Sequence, residues 1–167
     1  MKKLYYSLSD NKIKQLLYVD DRITRLINYI DEASIELEED GFKCIVKYII
    51  GQQISDKARE TIWKRIDLNI EVSAEGISQA SEELLREYGL SLRKINYIKG
   101  VARAIISNHI DFKEFNNLSN DEVIKKLTAL KGIGKWTAEM YLIFSLGREN
   151  VLSTGDRYNK KDYTMDI

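Results

Sequence analysis

Apolar residues recur mostly three and four positions apart along this chain, the spacing of one helix face, and seldom two apart as in a half-buried strand. In DGFKCIVKYIIG, Phe42, Ile45, Val46, Ile49 and Ile50 trace one stripe, with Asp40 placed to cap the start and Gly51 to end the helix. Ser55 opens a second helix whose stripe is Ala58, Ile62, Trp63 and Ile66. SEELLREYG starts at a capping Ser81 and stops at Gly89, and LRKINYIKGVARAII continues with Ile95, Ile98, Val101, Ala102, Ile105 and Ile106. SNDEVIKKLTAL carries a capping box, Ser119 reaching forward and Glu122 reaching back. WTAEMYLIFSLG is the last clear helix, ended by Gly147. Residues 68–72 read as extended, but nothing alternates long enough for a sheet. The pattern predicts an all-α fold of about eight or nine short helices.

Length and composition narrow the class. With 167 residues and 44% hydrophobic content, the chain can bury the core of one compact domain or of two small lobes. No stretch is apolar enough to cross a bilayer and no signal-peptide architecture stands at the start, so no membrane partner and a cytoplasmic location are expected. Cys44 is the only cysteine, which excludes internal disulfides and any four-cysteine zinc or iron–sulfur site. It reads as a helical core residue, and the lone His109 as a surface residue at a helix end.

Formal net charge is zero, yet charge is segregated along the chain. DEASIELEED (31–40) holds six acids and no base, whereas SLRKINYIKGVAR (91–103) and KKLTALKGIGK (125–135) each hold four bases and no acid. Such runs are solvated faces unless geometry ties them to a ligand.

The stretch LTALKGIGKWTAEMY (127–141) offers such a geometry. Gly132 and Gly134 permit positive φ and leave no side chain above the turn between two helices. Backbone amides opening the next helix then point outward toward an anion such as a DNA phosphate, with Lys131 and Lys135 adding charge. The residues alone equally allow a plain helix–turn–helix corner with solvated lysines.

LKGIGKWTAEMYLIFSLGRENVLSTGD resembles the helix–hairpin–helix plus Gly-Asp signature of the HhH-GPD DNA glycosylase superfamily, most closely its 3-methyladenine DNA glycosylase II branch. IIGQQISDKARETIW (49–63) and YGLSLRKINYIKGVARAI (88–105) resemble two further segments of that branch, in the same order. The resemblance implies a single glycosylase domain over 1–167, with hairpin motif 120–147 and two helical lobes around a DNA-binding cleft. It implies a monofunctional glycosylase that hydrolyses the N-glycosidic bond of alkylated purines in double-stranded DNA during base-excision repair. Its catalytic carboxylate would be Asp156, stabilising positive charge that develops on the sugar, with a helix N-cap in the string STGD as the alternative. Trp136 stands where bifunctional relatives carry a Schiff-base lysine, so no strand cleavage is expected. Trp136, Met140 and Tyr141 fall at base-pocket positions, with hairpin core as the alternative for Trp136. Gln53 matches the wedge that fills the gap left by a flipped nucleotide, or else is a polar loop residue. Amides of Gly132, Gly134 and Thr137 would face phosphate. Main-chain carbonyls of Thr128, Leu130 and Ile133 would hold a structural K+ or Na+, and no other cofactor, in particular no iron–sulfur cluster, is implied.

The chain departs from the family pattern at three points. Lys131 replaces the hairpin's usual proline, Met140 stands where some relatives place a pocket tyrosine, and Asp156 is followed only by RYNKKDYTMDI. The expectation is a member lacking the C-terminal helices after about 156. A homodimer through the surface so uncovered follows as an expectation. DNA affinity would outlast catalysis, so a catalytically impaired DNA-binding remnant stands beside the enzyme, and a purely structural helical protein beside both.

Overall fold

The computed structural model describes residues 2–30 and 32–153; Asp156, the expected catalytic carboxylate, therefore lies outside the described residues. The described part falls into two compact units divided after Leu37.

In the first unit, strand β1 (Lys2–Ser7) pairs antiparallel with β2 (Glu32–Leu37), and helices α1 (Asn11–Leu16) and α2 (Asp21–Ile30) lie between them in sequence. This pair corrects the expectation of no sheet. The register sets Lys3 opposite Glu36, and their side chains form an ion pair. β2 occupies much of the acidic run 31–40. Its alternation Ala33, Ile35, Leu37 is only three apolar positions long, and the acids between them masked it.

The second unit, 38–153, is all helix and turn among its described residues. It contains α3 (Gly41–Gly51), α4 (Asp56–Asn69), α5 (Ala74–Gln79), α6 (Glu82–Glu87), α7 (Leu92–Ile106), a 3₁₀ turn (Glu114–Asn117), α8 (Asn120–Thr128) and α9 (Lys135–Phe144). The caps read from sequence form: Asp40 accepts from the Lys43 amide, Ser55 from Ala58 and Ser81 from Leu84. Ser119 and Glu122 close a full capping box. Each such cap contributes on the order of 1 kcal/mol by satisfying an orphan amide. Gly51 does not end α3 with a left-handed turn; that backbone falls to Gln53, with φ 60°. Ile70 leaves α4 in extended backbone, but the Ser73 amide turns back to the Glu71 carbonyl and residues 68–72 join no sheet among the described residues.

The core takes most of the predicted stripes, but Ala58, Ile62 and Trp63 of α4 are only half-buried and Ile106 of α7 is exposed. Ile45, Val46, Ile49 and Ile50 of α3, Ile66 of α4, Ile95, Ile98, Val101 and Ala102 of α7, and Leu127 of α8 are buried together. Each large aliphatic side chain so buried contributes about 1.5–3 kcal/mol. At one end Phe112, Phe115 and Tyr141 form an aromatic cluster, with ring centroids 5.4–5.8 Å apart. Gly41 admits the Phe112 ring, since a Cβ there would lie 2.7 Å from it.

Cys44 is buried in this core, and burial first, then the Glu38 charge, pushes its thiol up to about 12. The folded protein is therefore expected to resist alkylation by iodoacetamide at pH 8, where the unfolded chain reacts. Mass spectrometry after brief labelling, with and without guanidinium, checks this. His109 is exposed beside α7, its Nδ1 2.8 Å from the Ser107 hydroxyl, as a helix-end surface residue should be.

Candidate nucleic-acid interface

The hairpin is built at the junction of α8 and α9. The Leu130 amide donates to the Leu127 carbonyl and the Ile133 amide to Leu130, folding residues 127–133 into successive tight turns. Gly132 sits at φ 93°, a backbone that side chains rarely adopt. The Tyr97 ring of α7 lies directly on it, and a Cβ there would come within 2.1 Å of that ring. Gly134 is different. It is the N-cap of α9 with φ −90°, ordinary extended backbone, so the positive φ that glycine permits is not used there. No atom lies within 4 Å of where its Cβ would be. The glycine leaves open space over the first amides of α9, and no side chain caps them.

That openness separates two roles by experiment. Gly134→Ala is expected to lower stability by under about 1 kcal/mol, because only N-cap preference changes. Duplex-DNA affinity is expected to fall about tenfold, since a methyl group then stands where a phosphate would approach the helix N-terminus. Thermal unfolding and fluorescence-anisotropy titration at low salt check the two halves.

Facing the hairpin is the loop between α3 and α4, residues 52–55. The Gln52 side-chain amide donates to the Gly132 carbonyl (2.9 Å) and to the Thr137 hydroxyl (3.2 Å). Thr137 is only 2% exposed, so its hydroxyl has few alternative partners. Gln53, next in sequence, is exposed at the tip in left-handed backbone, a state that costs a non-glycine residue about 1–3 kcal/mol. Its side-chain oxygen accepts from Arg93 Nη2 at 3.0 Å. Behind the loop, buried Lys94 donates to the Ile50 carbonyl at 2.6 Å. Burial first, then the charge of Arg93, lowers the Lys94 pKa.

The structure thus brings Gln53, Gly132, Gly134 and Thr137 into one neighbourhood. Lys131 and Lys135 are exposed there, Lys135 at 72% and 3.7 Å from the Glu139 carboxylate. Glu139 is itself buried and accepts from the Ser153 hydroxyl at 2.8 Å. Trp136 is half-buried and meets Tyr48 edge-on at 5.8 Å. Its indole N–H is enclosed with no acceptor among the described residues. Met140 and Tyr141, named for a base pocket, are both buried, and Tyr141, 1% exposed, belongs to the aromatic core cluster. Burial raises its hydroxyl pKa above the usual tyrosine value.

Sequence reasoning missed Gln52, Arg93, Lys94 and Tyr97. The first was legible only as the neighbour of Gln53. The basic run 91–103 was read as a face, yet three of its four bases make specific bonds: Arg93 to Gln53, Lys94 to Ile50, and Lys99 to the Ser78 and Ala80 carbonyls.

Residues 46–164 match the HhH-GPD superfamily of base excision DNA repair proteins. The chain belongs to the HhH-GPD superfamily. It is 38% identical over 148 residues to DNA-3-methyladenine glycosylase 1 of Schizosaccharomyces pombe, covering 85% of this chain and 64% of that protein. It therefore spans just under two-thirds of that relative. The solved DNA-3-methyladenine glycosidase of Bacillus halodurans superposes with a TM-score of 0.81 at 38% identity, over 92% of this chain and 72% of that one. An S. pombe 3-methyladenine DNA glycosylase in complex with abasic DNA gives 0.80 at 31%, over 89% and 76%. This HhH-GPD chain is thus mostly helical in the way its family is, and it also carries the small β1–β2 pair. Among its described residues no helix is long and apolar enough to cross a membrane, and no three His, Cys, Asp or Glu side chains group as metal ligands.

Proposed function

We propose that this protein is a monofunctional DNA glycosylase that releases alkylated purines of the 3-methyladenine type from double-stranded DNA in base-excision repair. The observation that carries the reading is the meeting of the open α9 N-terminus with the strained Gln53 loop, in a chain whose relatives are named for this activity. The amides of Gly132, Gly134 and Thr137 would hold a backbone phosphate, with Lys131 and Lys135 adding charge. Gln53 would fill the gap left by the flipped nucleotide, at the expense of a few kcal/mol of lost stacking. Asp156 would stabilise the oxocarbenium character of the sugar as the cationic base departs.

The carbonyls of Thr128, Leu130 and Ile133 would hold a monovalent cation. They lie at the C-terminal end of α8 and in the turn, where the helix dipole favours positive charge, and main-chain oxygens suit K+ or Na+. One of the three, Leu130, already accepts from Ile133 and has a second lone pair to offer. When bound, the ion would add positive charge behind the phosphate.

Tryptophan at position 136 supports hydrolysis without strand cleavage. Borohydride treatment of the protein with an abasic duplex is expected to trap no covalent complex; a trapped adduct would identify a lysine nucleophile and overturn this part.

The deciding experiment measures release of 3-methyladenine from methylated duplex DNA, alongside salt-dependent binding to an undamaged duplex. Release establishes the enzyme. Absence of release with binding that weakens as salt rises leaves a DNA-binding protein without catalysis. Absence of binding at low salt overturns the reading.

A further inference from the structure

The loop that carries Gln53 and the hairpin that would hold phosphate are far apart in sequence, yet one side chain joins them. Gln52 spends its carboxamide N–H groups on the Gly132 carbonyl and the Thr137 hydroxyl, one on each side of the turn. Gln53 stands beside it in left-handed backbone, a state that persists only where the surroundings over-determine it. Three side-chain tethers do so: Gln52 to the hairpin, Lys94 to the Ile50 carbonyl at the end of α3, and Arg93 to the Gln53 side chain itself.

We infer that Gln52 is a positioning residue that couples the phosphate-binding turn to the wedge, so that Gln53 is set at a fixed reach from the strand the hairpin grips. The inference rests on the proposed DNA-binding reading. Of the three tethers only Gln52 bonds the hairpin directly, so it is the hydrogen-bonded link between the two elements, beside the packing of Tyr97 on Gly132 and of Tyr48 on Trp136. The carbonyl it captures belongs to Gly132, the hairpin residue at φ 93°, and Thr137 contributes the third of the amides proposed to face phosphate. Gln52 does not touch the reacting atoms; its effect is carried through Gln53.

The test compares wild type, Gln52→Leu, Gln53→Ala and the double variant. Each is titrated with an undamaged duplex and with a duplex holding a tetrahydrofuran abasic site opposite 2-aminopurine, whose fluorescence rises when stacking is broken. Gln52→Leu is expected to bind undamaged duplex within about twofold of wild type, as phosphate contacts supply that affinity. It is expected to lose most of the fluorescence rise and about tenfold of the preference for the abasic duplex, matching Gln53→Ala. The double variant is expected to be no worse than either single one. Thr137→Val, which removes one of the two partners with little change of shape, serves if Gln52→Leu unfolds, with a partial loss of the fluorescence rise expected. Equal losses on both duplexes would make Gln52 a structural brace of the hairpin and overturn the coupling. An unchanged fluorescence rise, or additive losses in the double variant, would also overturn it. Failure of the wild type to bind undamaged duplex would overturn the DNA-binding reading itself.

Discussion

Gly132→Ala is expected to unfold at a temperature lower by on the order of 10 °C, the largest effect of any single methyl group added to the hairpin. Two independent terms add. Alanine at φ 93° costs about 1–2 kcal/mol in backbone strain. The new Cβ would also overlap the Tyr97 ring at 2.1 Å, and relieving such overlap in a packed site costs about 1–3 kcal/mol. For a chain of this length each kcal/mol shifts the midpoint by about 2–4 °C. The double variant Gly132→Ala/Tyr97→Ala separates the terms, since removing the ring relieves the overlap and leaves the strain. It should remain less stable than Tyr97→Ala alone by only the strain term. Differential scanning calorimetry of the four proteins measures this, and equal destabilisation in both backgrounds would show that the ring contact is irrelevant.

Asp156→Asn is expected to slow release of 3-methyladenine about 10²–10³-fold while leaving affinity for undamaged duplex within about twofold. The substitution keeps size and shape but replaces an acceptor-only carboxylate with a neutral amide, so it acts on the transition state, where positive charge builds on the sugar. Because the departing base is already cationic, little protonation is needed and charge stabilisation carries most of the effect. Single-turnover release kinetics, with anisotropy for affinity, read the two quantities apart. A variant that releases base at the wild-type rate would remove Asp156 from the mechanism.

The helices were legible because their signals are local: a serine or aspartate at each start, and apolar residues three and four apart. The strands were not, because six-residue segments with only a short alternation look like loops beside an acidic run. At the candidate site the glycines and Gln53 stood out, but the reason for each did not. Gly132 needs its missing side chain because Tyr97 packs there, whereas a Cβ at Gly134 would meet nothing; one motif hides two different surroundings. Tyr141 looked like a pocket residue from its place beside Met140, and only the folded packing shows it turned into Phe112 and Phe115. Gln52, Arg93 and Lys94 act through partners 40 to 85 residues away, beyond the reach of any local pattern.

The bond between Gln52 and Gly132 spans 80 residues. On a ribosome adding roughly 5–20 residues per second, about 4–16 s separate synthesis of its two ends. For the first half of that interval the loop of Gln53 has none of its three tethers, and for the second half it has only those from Arg93 and Lys94. A nascent chain released before Thr137 would carry most of its helices but not the Gln52 bonds to the hairpin. The full set of contacts around Gln53 can therefore form only once the hairpin has been made.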